Sequence, residues 1–247
     1  MVAKLVSRVL KHYSDNFITV LGFAMLLVFV LLFLQLPSNF LSSGSIMLEF
    51  SILSENLLES AVLLLSVIVF LLIYSAFVAL IVFAVRKDFG KVKLYYYLNE
   101  KVYSFAKRYF LFNLGFSAAL FVLLSAFVYL SAPEALTAFV LFVVAALFIF
   151  VPQSIVVDEG SIEASILNNF EFIGQNKKYF FLVLAAGIVL VALINLAEFF
   201  IDSLFFVGSF ITIALSLIVV VPLMEILKTE LYTRKFELVK RTIHISR

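Results

Sequence analysis

Long apolar runs alternate with short polar stretches along this chain, and the length of each run fixes what it can become. Residues 2–13 place Val2, Leu5, Val6, Val9, Leu10 and Tyr13 at helical spacing, with Lys4, Ser7, Arg8 and Lys11 opposite. That pattern predicts an amphipathic helix lying in a membrane interface. Continuous apolar runs follow at about 17–36, 60–85, 109–131, 136–156, 179–200 and 209–226. A helix needs roughly 20 such residues to cross a bilayer core of about 30 Å. The runs are continuous rather than alternating, so they predict helices and not the strands of a barrel. Pro37 ends the first run and opens a Ser-rich loop over 37–58, while Ser131-Ala132-Pro133-Glu134 makes a tight turn between the third and fourth. A basic amphipathic tail, Leu227 to Arg247, closes the chain.

The polar stretch at 88–110 recurs at 158–180, seventy positions later and without a gap. Asp88/Asp158, Gly90/Gly160, Asn99/Asn169, Lys107/Lys177, Tyr109/Tyr179 and Phe110/Phe180 coincide, and Pro152 and Pro222 keep the same offset. Each copy is helix-compatible, ends in a basic-basic-Tyr step and leads into an apolar run. Lys11-His12-Tyr13 marks a third such step. The expected organisation is a single domain, 1–247, made of repeats at 1–87, 88–157 and 158–227 with a tail at 228–247. Each repeat is a surface helix followed by a transmembrane hairpin. Apolar stripes such as Ile162, Ile166, Leu167, Phe170 and Ile173 are the faces by which the surface helices would lie down.

Composition agrees with a membrane protein: 64% of the residues are hydrophobic and 14% charged, and the mean hydropathy is +1.17, against roughly 25% charged residues in soluble domains. Charge then sets the topology. All eighteen Lys and Arg fall in the N-terminal segment, the second-to-third and fourth-to-fifth connections and the tail. The alternate connections carry only Glu49, Glu55, Glu59, Glu134, Glu198 and Asp202. The positive-inside rule therefore predicts an all-α polytopic protein of the cell membrane with six transmembrane helices, arranged as three hairpins, and both termini cytoplasmic. With no cysteine, disulfide and thiolate chemistry are excluded.

Candidate chemistry is sparse. The only histidines are His12 and His244, and His12 reads as an interfacial polar residue. No phosphate loop, HExxH or GxSxG pattern occurs, and no cofactor or enzymatic activity is expected. The central thirds of the six runs lack ionisable groups, which argues against a proton-coupled pump. Asn195, Glu198 and Asp202 share a helical face at the outer end of the fifth run, a weak oxygen-ligand set for a cation or simply a helix end emerging into water. Asn99 and Asn169 either face each other across the repeat or are independently solvated. Pro152 and Pro222 would each free a carbonyl one turn earlier, as a kink or a hinge. Lys107, Arg108, Tyr109, Lys177, Lys178, Tyr179, Arg234 and Lys235 sit where anionic lipid head groups reward basic residues. The tail cations have a soluble protein as an alternative partner. Nucleic acid is not expected.

Phe150-Val151-Pro152, Asp158-Glu159-Gly160, Ala164-Ser165 and Asn176-Lys177-Lys178 together resemble a pattern in prokaryotic six-span families, among them the membrane domain attached to some glycerophosphodiester phosphodiesterases. The likeness covers roughly residues 140–190. It implies a six-helix module that accompanies another activity, with no catalysis carried over. The expected function is a non-enzymatic module that contacts lipid or anchors a larger assembly, as a hetero- or homo-oligomer. The alternative is a permease for a neutral, amphipathic or lipidic solute.

Overall fold

The computed structural model describes residues 2–34, 57–87, 94–205 and 208–245, and every regular element among them is helical. The chain runs through α1 (Val2–Asp15), α2 (Phe17–Leu34), α3 (Leu57–Lys87), α4 (Leu94–Tyr129), α5 (Glu134–Leu147), α6 (Val151–Val157), α7 (Ile162–Gln175), α8 (Lys177–Phe205), α9 (Gly208–Leu215), a π-helical turn (Ser216–Val220) and α10 (Val221–Ile245). Five segments among the described residues are long and apolar enough to cross a bilayer: Leu64–Arg86, Lys101–Tyr129, Glu134–Val157, Lys177–Ile201 and Ile211–Arg234. A shorter apolar stretch, Phe17–Val28, begins α2. Most of the Ser-rich loop and the Asp88-to-Gly90 step of the first repeat copy lie outside the described residues.

The bundle is organised around α3. Phe70, Tyr74, Phe77, Val78, Ile81, Val82 and Val85 are all buried, and the helix packs against α2, α4, α6 and α10. By contrast α8 is peripheral: Ile188, Val189, Leu193, Leu196, Phe199 and Phe200 stay exposed, the surface a helix keeps when lipid is its solvent.

The turn between α4 and α5 follows from local chemistry. Ser131 takes φ 51°, its N–H donates to the Val128 carbonyl, and the Ala132 N–H reaches back to Phe127. These are the two bonds of a Schellman stop, completed by Pro133, which cannot continue the helix.

Both prolines mark breaks, and the breaks are equivalent. α5 stops at Leu147, Phe148–Phe150 are turns, and α6 restarts with Pro152 in its first turn. Seventy residues on, the π-turn Ser216–Val220 precedes Pro222. A proline deprives the carbonyl four residues earlier of its donor, here Phe148 and Ile218. The Phe148 carbonyl accepts from Val151 N–H instead, and the Ile218 carbonyl accepts from the Tyr13 hydroxyl at 3.1 Å. Asn169 of α7 closes the first break from both sides: its amide oxygen accepts from Phe150 N–H at 2.9 Å and its amide nitrogen donates to the Leu147 carbonyl at 2.7 Å.

Asn169 is therefore not solvated; it is fully buried. Asn99 stands on α4, but its side chain lies outside the described residues. The buried face of α7 is Ser165, Asn169 and Phe172, whereas Leu167 and Phe170 of the expected stripe remain on the surface. A backbone break needs a polar partner more than an apolar one. The surface helices differ from expectation in three further ways. α4 runs unbroken from Leu94 into its span, while the second copy bends at Asn176, whose amide donates to the Phe172 carbonyl at 3.2 Å. Position 106, the counterpart of Asn176, is Ala, which prolongs a helix. α1 docks on α10 through Leu5, Val9 and His12, leaving Val6 and Leu10 exposed. α10 continues without interruption to Ile245, and residues 228–233 are buried rather than lying as an interfacial tail.

Replacing Asn169 with Ala leaves a buried amide and a buried carbonyl without partners, at about 1–3 kcal/mol each. The expected outcome is a fall in unfolding temperature in detergent, measured by circular dichroism, with helix content unchanged in the folded state.

Candidate functional site

The basic ends of the spans hold a layer of polar side chains that is unusually deep for a membrane protein. Within Ile211–Arg234, Glu225 falls in the middle third, so the expectation of ionisable-free span centres fails; it was drawn for a run ending at 226. Glu225 and Lys228 are completely buried, with Lys228 Nζ 2.6 Å from Glu225 Oε1. Gln153, next to the break at Pro152, donates to Glu225 Oε2 at 2.8 Å, while its own amide oxygen finds no partner. One turn on, Glu230 Oε1 lies 3.0 Å from His12 Nε2 and its other oxygen 3.9 Å from Arg8. His12 is thus buried against a carboxylate. A buried ion pair is costly to break but contributes little net stability relative to an apolar substitute, because both ions lose their hydration.

Beside this layer, the turn Asp158-Glu159-Gly160 is tied down from three helices. Arg86, at the end of its span, donates to the Val156 carbonyl at 2.7 Å and to Glu159 at 2.8 Å. Lys101 of α4 donates to both carboxylate oxygens of Glu159, and Arg108 donates to the carbonyls of Glu159 and Gly160. Cations at a helix C-terminus also oppose its dipole. Burial pushes the Glu159 carboxyl up, but the bonds from Lys101 and Arg86 outweigh it and hold the group below its ordinary value. Asp158 accepts from Tyr232, Ser154 and Asn168, joining α10 to the same turn.

A groove of about 560 Å³ opens where α7 bends into α8, against α1 and α10. Its walls include Lys177, Lys178, Tyr179 and Arg234, and its floor Leu5, Leu182 and Leu231. Four residues chosen for head-group contact from separate parts of the chain therefore share one cavity. The others do not join them. Lys107 is exposed elsewhere on α4, Arg108 holds the Glu159 turn, and Tyr109 is buried and stacked on Phe112. Tyr109 leaves the interface because α4 packs it against the core shared with α3. The Lys235 side chain lies outside the described residues.

At the opposite end of α8, Asn195 is exposed and Glu198 half-buried, and the Asp202 side chain lies outside the described residues. Among the described residues no group of three His, Cys, Asp or Glu side chains is gathered as a metal would require. Asn113 is buried and donates to Ser75 at 3.0 Å.

Sequence reasoning missed Gln153, Glu225, Lys228 and Glu230. The available signals were Gln153-Ser154 directly after a proline in an apolar run, and an i, i+3 carboxylate–ammonium pair where the sixth run was taken to end. No family model, curated protein or solved structure matches the chain.

Two measurements check the electrostatics. Lys228→Met strands Glu225 and is expected to cost about 3–5 kcal/mol, whereas Glu225→Leu/Lys228→Met recovers most of it; urea unfolding in micelles reads both. Glu159 has a depressed native value relative to 4.5, so its contribution is present above that value and is lost as pH falls through the native one. The gap in unfolding temperature between the wild type and Glu159→Gln is therefore expected at neutral pH and closes in acid.

Proposed function

We propose that the chain is a multi-pass module of the cell membrane that presents a fixed, lipid-contacting platform on its cytoplasmic side, alone or as the membrane part of a larger assembly. Six crossings with both termini cytoplasmic belong to this reading. They are supported by five long apolar segments, a sixth apolar stretch in α2, and the gathering of α1, Arg86, Lys101, Lys177 and Arg234 at one end of the bundle. The likeness to six-span membrane domains that accompany another activity points the same way.

The observation that carries the reading is that side chains from other elements tie both irregular turns, the buried Asn169 at the break before Pro152 and the half-buried Tyr13 at the π-turn before Pro222. Broken helices at membrane depth line transport paths when their freed backbone faces a cavity. Here Asn169 occupies one break and Tyr13 caps the other, and Gln153 bonds Glu225 across them. All of α6 is buried. Such ties favour a platform over a gate.

A permease for a neutral or amphipathic solute is the second reading, and one observation favours it: the two breaks recur at equivalent positions of the repeat, as hinges in a symmetric transporter do. Because the chain has no cysteine, spin labels placed at positions 103 and 171 on the basic side, and at 129 and 200 on the other, discriminate the two. Pulsed electron resonance in nanodiscs is expected to give one distance population for each pair. Two populations that exchange in antiphase on the two sides would establish the permease.

A further inference from the structure

We propose that the groove at the α7–α8 bend is a one-to-one site for an anionic phospholipid whose head group carries two negative charges. The proposal rests on the lipid-contacting reading above and names the ligand of that surface. Its first support is charge. Arg86, Lys101 and Lys228 are each paired with a carboxylate. Lys177, Lys178 and Arg234 line a single groove, and none of them has a carboxylate partner among the described residues. Among the described residues no Asp or Glu contributes to the lining. A phosphodiester with one charge leaves most of this excess uncompensated, whereas a terminal phosphomonoester carries about −1.5 to −2 at neutral pH and accepts from several donors at once.

The second support is position. Lys177 opens one apolar span and Arg234 closes another, so the groove stands at the depth where a bilayer changes from hydrocarbon to head group. Its linings are sorted accordingly. Leu5, Leu182 and Leu231 supply an apolar floor for the upper part of an acyl chain, and the cations, Gln175, Asn176 and the Tyr179 ring surround the polar end. A volume of about 560 Å³ falls within the roughly 300–1,000 Å³ of small-molecule sites. It accommodates a head group with its glycerol and leaves the tails to the bilayer. The first turn of α8 begins in the same groove, adding the positive end of a helix dipole to the side-chain charge. A free phosphate ion would satisfy the cations but leave half-buried Leu182 and Tyr179 uncovered; a lipid covers both.

The test uses the full chain in nanodiscs of phosphatidylcholine doped with either phosphatidic acid, two charges, or phosphatidylglycerol, one charge. Native mass spectrometry after release counts retained lipids. One phosphatidic acid per chain is expected, held at least about tenfold more tightly than phosphatidylglycerol. Lys177→Gln/Arg234→Gln is expected to weaken retention roughly thirtyfold at about 1 kcal/mol per cation. Lys11→Gln/Lys107→Gln, which removes the same charge from exposed sites elsewhere, leaves it unchanged. Unfolding temperatures of both variants in pure phosphatidylcholine are expected to match the wild type, so a folding defect would be visible separately. Equal retention of the two lipids overturns the charge assignment, and equal effects of the two double variants overturn the site. Stabilisation by inorganic phosphate alone, matching that by phosphatidic acid, makes it an ion site and also overturns the proposal. Indifference to anionic lipid of any kind would defeat the lipid-contacting reading itself.

Discussion

A backbone amide that loses its helical partner inside a membrane has no water to turn to, and the structure is arranged around meeting that demand twice. Pro152 and Pro222 create the demand, and it is met by side chains from other elements, Asn169 from α7 and Tyr13 from the N-terminal helix. These bonds explain features that propensity alone does not. α7 buries a polar face and shows part of its apolar stripe to the surroundings. α1, which could lie in the interface, is instead held along α10 by Tyr13 and His12. Local breaks thus dictate where the surface helices go.

The polar layer follows the same logic at the level of charge. Glu225 has its two oxygens occupied by Lys228 and Gln153, and Glu159 is held by Arg86 and Lys101. Each acid is compensated within its own neighbourhood: Glu159 by cations of α3 and α4, and Glu225 by Lys228 of its own helix, with Gln153 of α6 adding a bond from outside. The network therefore fixes helix order and rotation more than it adds stability, since hydrogen-bonded ions in a low dielectric roughly repay their own desolvation. Against this background Lys177, Lys178 and Arg234 stand out because no carboxylate among the described residues pairs with them.

The membrane class and the helical character were legible from run length and composition, because the physics of a span depends on hydrophobicity summed over a window and hardly on neighbours. The sorting of Lys177, Lys178, Tyr179 and Arg234 to one end was legible for the same reason, although their convergence on one groove depends on the bend at Asn176. Less was legible where a residue's role is set by contact. Asn169 and Asn99 coincide in the repeat, yet a single backbone break decides the fate of the former. Tyr109 and Tyr179 also coincide, and one is buried while the other lines the groove. The end of the sixth run was misjudged because Glu225 is bonded by Gln153, 72 residues away in the sequence.

The i, i+3 placement of Glu225 and Lys228 also bears on how such a chain is made. A helix leaving the insertion machinery must enter lipid before it has found its neighbours, and a lone charge would hold it back. Here each ion travels with its counter-ion on the same turn of the same helix, so the pair can partition as a neutral dipole, and Gln153 adds its bond to the other Glu225 oxygen on docking. The pair is a travelling arrangement first and a tertiary contact second.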